Sequence, residues 1–208
     1  MAYPIVFVPG LLCTDALYAP QIAAFSAKTD CIAADHTRHD SMRAIVESIL
    51  ETAPERFHLI GLSMGGYIAL EMAEHAPERI EKLVLMDTSA QADRPDQTAS
   101  RRALMAVARE QGIDPVSDRL LPLFIKESRL SDKALTGIVA QMARDIGVEA
   151  FIRQQTAIIG RKDAGPDLAD ITCPTLVVCG DHDKLTPPEL SAEIAAGIAT
   201  ARPGTRLY

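Results

Sequence analysis

The chain has 208 residues, 48% of them hydrophobic, enough to bury the core of one large domain. Asp and Glu (28) outnumber Lys and Arg (21), for a net charge of −7, and no basic stripe is present, which argues against nucleic acid as a partner. No apolar run approaches the roughly 18 residues that span a bilayer, and Met1-Ala2-Tyr3-Pro4 opens no basic region followed by a long apolar segment. Cys13, Cys31, Cys173 and Cys179 form neither a C-x-x-C pair nor a metal-ligand spacing, so they read as reduced thiols, and no metal or organic cofactor is expected. A cytoplasmic protein without membrane attachment fits these features.

Ile5-Val6-Phe7-Val8, closed by Pro9-Gly10, reads as a strand buried on both faces. A short helical segment over residues 18–25 and a weaker strand over 30–34 follow. Met42, Ile45, Val46, Ile49 and Leu50 recur at helical spacing and stop before Pro54. Leu59-Ile60 leads into Gly61-Leu62-Ser63-Met64-Gly65, and a helix is expected from 64 to 74. Residues 82–86 are the next strand. Alternation of this kind indicates a mostly parallel α/β sheet flanked by helices.

Between about 98 and 159 no convincing strand occurs. Leu104, Val107 and Ala108 share one helical face; Leu135, Ile138, Val139 and Met142 share a second; Phe151, Ile152, Gln155 and Ile158 suggest a third. A block this long exceeds a simple crossover. It is expected to be a helical cap spanning 91–169, inserted into a core made of 1–90 and 170–208. Strand pattern returns at 174–180, a helix follows over 188–198, and Thr205-Arg206-Leu207-Tyr208 begins another strand.

The G-x-S-x-G run carries the chemistry. A serine hydroxyl is a weak nucleophile unless it is exposed, oriented and paired with a base. A sharp strand-to-helix bend exposes it, and flanking glycines let the two backbones approach closely. The helix that follows aims its N-terminal amides at the site, where they favour a developing oxyanion. Asp181-His182-Asp183 could be mistaken for a metal loop, but one tripeptide without further ligands does not make one.

Three runs, Val8-Pro9-Gly10-Leu11-Leu12, Gly61-Leu62-Ser63-Met64-Gly65-Gly66 and Gly180-Asp181-His182-Asp183-Lys184-Leu185-Thr186-Pro187, make essentially the whole chain resemble the α/β-hydrolase family. The resemblance implies Ser63 as nucleophile, the backbone amides of Met64 and Leu11 as the oxyanion hole, and Asp183 as the acid that orients a histidine. Asp181 is a near alternative for that acid and Asp87 a more distant one. Pro9 stands where the family often has histidine, which matters little because the donor is a backbone amide. A serine at position 63 disfavours the branches of the family that place aspartate there.

Family members carry the general base on a loop after one further strand. The five histidines here, His36, His39, His58, His75 and His182, do not occupy such a position. The expectation is a hydrolase core lacking its final strand, histidine loop and helix, with the base on a C-terminal fragment and the 208-residue chain nearly inactive alone. The alternative is a non-catalytic binding or interaction protein on the same scaffold. The expected substrate is a small or medium carboxylic ester, or a related acyl compound, held in an apolar pocket. Leu12, Phe124 and Met142 are its expected walls, with Met105 and Leu121 as further candidates.

Overall fold

The computed structural model describes residues 3–203. Six strands make one all-parallel sheet: Ile5–Val8 (β1), Cys31–Ala33 (β2), Phe57–Leu62 (β3), Ile80–Met86 (β4), Thr175–Val178 (β5) and Ala201–Pro203 (β6), in the order β2-β1-β3-β4-β5-β6. All four residues of β1 are buried, as a strand covered by helices on both faces requires. β2, at the sheet edge, is short and only half-buried. The helices are Ala19–Phe25 (α1), Met42–Thr52 (α2), Met64–His75 (α3), Pro95–Gln111 (α4), Asp114–Phe124 (α5), Lys133–Ile159 (α6) and Pro188–Gly197 (α7). Ser41 caps α2 through its Oγ, which accepts the Ala44 amide at 3.3 Å, and turns Met42, Ile45, Val46 and Ile49 into the main core. The mixed α/β architecture expected from the alternation is the one found. The expected strand at Thr205–Tyr208 lies outside the described residues, and β6 already runs over 201–203.

Register places the site. Val8 pairs with Gly61, Leu62 with Met86, and Met86 with Val178. The residues that leave these strands, Pro9-Gly10, Ser63, Asp87 and Cys179-Gly180, therefore emerge together at one edge of the sheet. The sheet order also reverses between β1 and β3, and open α/β sheets bind ligands outside their carboxyl ends at such a switch point.

Between β4 and β5 stand α4, α5 and α6. The second and third apolar faces read from the sequence lie on the two helical segments of α6, which meet at Gly147, whose φ of 71° and ψ of 178° leave helical geometry. Helix α5 has no counterpart among those three faces; Val116 and Leu120, with prolines at positions 115 and 122, give it only a short apolar edge. These helices form a second apolar cluster, with Met105, Val116, Leu120 and Phe151 buried together.

Their base is tied down electrostatically. The Asp93 carboxylate, 1% exposed, accepts from Arg161 at 2.9 Å and Arg101 at 3.1 Å, and from the Thr98 hydroxyl at 2.9 Å. Burial works against its ionisation, but Arg101, Arg161 and Thr98 overcome it and hold the carboxyl below its usual range. Arg161 also lies 4.3 Å from the Tyr67 ring centroid on α3. Asp93→Asn should leave two guanidiniums short of their counter-charge and cost about 3–5 kcal/mol. Urea denaturation of the two proteins measures it; an unchanged midpoint would show that the network adds nothing.

Candidate active site

Ser63 adopts φ 53° and ψ −114°, one of three non-glycine residues with positive φ among those described. Such a conformation costs of order 1–3 kcal/mol and persists only where the surroundings impose it. Here they do. The Ser63 amide donates to Met86 O at 2.9 Å, and its carbonyl accepts the Gly66 amide at 2.8 Å and the Thr88 hydroxyl at 2.9 Å. A Cβ on Gly61 would overlap the Gly65 carbonyl, and one on Gly65 would overlap the Val8 carbonyl. Both glycines are thus required by close backbone approach. Met64 is fully buried and opens α3, so its amide is among the first-turn donors that have no intrahelical partner.

The other two positive-φ residues flank the serine on neighbouring strand ends: Leu12 (φ 59°) after β1 and Asp87 (φ 43°) after β4. The Asp87 amide donates to Val178 O at 3.0 Å, and its Oδ1 accepts the Gly180 amide at 2.8 Å. Burial first, and then the neighbouring Asp183 charge, push the Asp87 carboxyl above its usual range. Asp183 sits in a tight loop: Oδ1 accepts the amides of Leu185 (2.8 Å) and Thr186 (2.9 Å), and Oδ2 accepts the Thr186 hydroxyl at 2.7 Å. Three of its roughly four acceptor positions are taken, which fixes the carboxylate. Cys179 Sγ and carboxylate oxygens of Asp87 and Asp183 lie within 4.8 Å of one another. Burial pushes that thiol up to about 11, so it stands there as a protonated neighbour and not as a thiolate ligand.

A cavity of about 890 Å³ opens over this edge, within the size range of small-molecule sites. Ser63, Asp87 and Asp183 are on its wall, with Leu11, Phe124 and Met142 among its apolar lining. Ser63, Leu11, Asp183, Phe124 and Met142 are therefore brought together as the sequence suggested. Leu12 is not: its side chain is 2% exposed, packs into the α4–α6 cluster and does not line the cavity. The cause is its left-handed backbone, which turns the side chain away from the site just after Leu11. Met105 is likewise buried in the helical cluster, and neither it nor Leu121 lines the cavity. Leu17, Leu135 and Val139 line it instead. The last two were legible as one apolar helix face, without a sign of whether that face met core or cavity.

The histidines are accounted for individually. His36 is buried, its Nε2 at 3.0 Å from both Gly10 O and Gln154 Nε2. His75 pairs with Arg43, and His58 sets its ring edge-on to Tyr3. His39 lies on the loop after β2, and His182 is exposed at the cavity wall beside Asp183. Among the described residues, none is hydrogen-bonded to Ser63.

Burial lowers the titration of His36, and burial followed by Lys82 lowers that of His58. The unfolded chain then takes up these protons first, near the ordinary histidine value of about 6.5. Their contribution to stability is full above that value and falls as pH drops toward the lower folded-state value. The urea midpoint should be lower at about pH 5.5 than at about pH 8, and less so in His36→Gln; equal midpoints would contradict this.

The sequence profile of the α/β-hydrolase fold family matches residues 3–203, and the chain belongs to that family. It is 31% identical over 182 residues to a 2-hydroxy-6-oxononadienedioate/2-hydroxy-6-oxononatrienedioate hydrolase of Paraburkholderia xenovorans, covering 84% of this chain and 63% of the relative. A second hydrolase of that description, from Klebsiella pneumoniae, is 29% identical, with 83% and 62% covered. The chain thus spans less than two thirds of the length of these relatives. The crystal structure of an enol-lactonase from Burkholderia xenovorans superposes with a TM-score of 0.89 at 25% identity, covering all of this chain and 83% of the other. A thermophilic esterase from Thermogutta terrifontis gives 0.88 at 22% identity, over 98% and 80%, a likeness of fold. No helix among the described residues is long and apolar enough to cross a membrane.

Proposed function

We propose that this chain is the larger part of a serine hydrolase that cleaves carboxylic esters or related acyl compounds, lactones among them. The observation that carries the reading is Ser63 itself. It is held in a strained conformation between buried glycines, at the head of a helix, on the wall of a largely apolar cavity that also holds a fixed carboxylate. In this reading Ser63 Oγ attacks the acyl carbon and expels the alcohol, and water then cleaves the acyl-enzyme. The Met64 and Leu11 amides stabilise the oxyanion of each tetrahedral intermediate. Asp183 orients the general base and stabilises its charged form. That base is a histidine outside these 208 residues, supplied by a further C-terminal segment. The 208-residue polypeptide alone then turns over on the order of 10⁶-fold more slowly.

The α4–α6 block, within 91–169, serves as a cap whose Phe124 and Met142 contact the acyl group. The name of the enol-lactonase supports an acyl substrate with an enol or alcohol leaving group. The four cysteines, all unpaired, fit the reducing cytoplasm.

The reading is tested with the protein expressed from its native gene and a series of 4-nitrophenyl esters from acetate upward. Turnover should favour short and medium apolar acyl groups over charged or polymeric substrates. Preference for the latter, or no hydrolysis of any member, would contradict it.

A further inference from the structure

The loop that carries the proposed oxyanion donor is gripped from behind. Gly10 O and the Leu11 N–H belong to the same peptide unit, so whatever holds the carbonyl sets the direction of the amide. Gly10 O faces His36 Nε2 at 3.0 Å and accepts the Cys13 amide at 3.1 Å. The next amide, Leu12 N–H, donates to Gln154 Oε1 at 3.3 Å, and Gln154 Nε2 lies 3.0 Å from the same His36 nitrogen. His36 is 2% exposed and Gln154 fully buried, so neither exchanges these contacts for water. Arg153, beside Gln154 on α6, donates to Thr37 O at 2.7 Å and anchors the His36 loop to the same helix.

We propose that His36 and Gln154 are positioning residues of the oxyanion hole, through which the inserted helix α6 sets the Leu11 amide. The inference rests on the serine-hydrolase reading above. A carbonyl only accepts, so the Gly10 contact uses the Nε2–H form of His36; that nitrogen then accepts nothing from Gln154 Nε2, and Gln154 acts on the loop through its Oε1 and the Leu12 amide. Donation to Gly10 O polarises the 10–11 peptide and strengthens its own N–H as a donor, the cooperative effect of linked hydrogen bonds in a low dielectric. Gln154 restrains the following peptide, where Leu12 is held at φ 59°. Without the pair, the loop is free to turn the Leu11 amide away from the developing negative charge.

The test compares His36→Leu, His36→Gln and Gln154→Met in the protein expressed from its native gene. Each is assayed on a 4-nitrophenyl ester and for affinity toward phenylboronic acid, which forms a tetrahedral adduct, and toward the product carboxylate, which does not. His36→Leu and Gln154→Met should lower kcat about 10–100-fold with KM nearly unchanged, below the 10²–10³ typical of losing an oxyanion donor outright. Boronate affinity should fall in parallel while product affinity holds. His36→Gln, whose amide can donate to Gly10 O, should recover most of the loss. Equal losses in kcat, KM and product affinity, or wild-type kcat in both apolar variants, would overturn the proposal. Should His36→Leu fail to fold, the Gln154→Met arm decides alone. Ser63→Ala is the control for the underlying reading: turnover surviving in it refutes the serine mechanism, whereas its loss alongside wild-type kcat in His36→Leu refutes only the positioning role.

Discussion

In the protein expressed from its native gene, Ser63→Ala is expected to reduce ester hydrolysis by on the order of 10⁶, the scale on which loss of a serine nucleophile removes turnover. That corresponds to about 8 kcal/mol of transition-state stabilisation. The side chain contributes little to folding, because the restraints on residue 63 run through its backbone: its amide to Met86 O and its carbonyl to Gly66 and Thr88. Alanine should therefore leave the urea midpoint close to wild type. Ser63→Gly should be equally inactive but more stable, by about 1 kcal/mol, because glycine adopts φ 53° without strain. Steady-state kinetics and urea denaturation of the three proteins check both statements. A Ser63→Ala protein with more than a few per cent of wild-type turnover would place the chemistry elsewhere.

Gly65→Ala should be the most damaging single-methyl change in the core. The added Cβ would overlap the Val8 carbonyl oxygen and crowd the Pro9 carbonyl at 2.8 Å. Neither is the end of a flexible side chain; both are backbone at the end of β1 and the start of the oxyanion loop, so helix and sheet must separate. The expected loss is about 4–5 kcal/mol, at the upper end for a point substitution. Gly137→Ala provides the contrast. That glycine is in α6 with open space where a Cβ would stand, and alanine there should stabilise by about 0.5–1 kcal/mol. Opposite signs for the same chemical change would confirm that space, not helix propensity, decides at Gly65. A Gly65→Ala protein of wild-type stability would contradict the close packing of β1 against α3.

The parts of this molecule that follow from local pattern were legible in the chain. Ile5-Val6-Phe7-Val8 read as a strand buried on both faces and Lys82-Leu83-Val84-Leu85-Met86 as a strand, and the glycines around Ser63 marked a close backbone approach. What depends on three-dimensional direction was not. Leu11 and Leu12 are adjacent and equally apolar, yet only Leu11 lines the cavity while Leu12 is buried in the helical cluster, because Leu12 takes a left-handed backbone that no residue type announced. The two apolar faces read as separate helices fall on the two sides of the break at Gly147, but nothing in their spacing gave the angle at which the segments meet. The His36–Gln154 and Asp93–Arg161 contacts join residues 118 and 68 positions apart, and no single sequence carries that pairing.

The most direct measurement is the intact mass of the protein expressed from its native gene, before and after exposure to a fluorophosphonate, followed by peptide mapping. One adduct on the peptide that contains Ser63, absent from Ser63→Ala, is the predicted result. An unmodified mass, or an adduct that maps to another residue, would contradict the assignment of Ser63 as nucleophile.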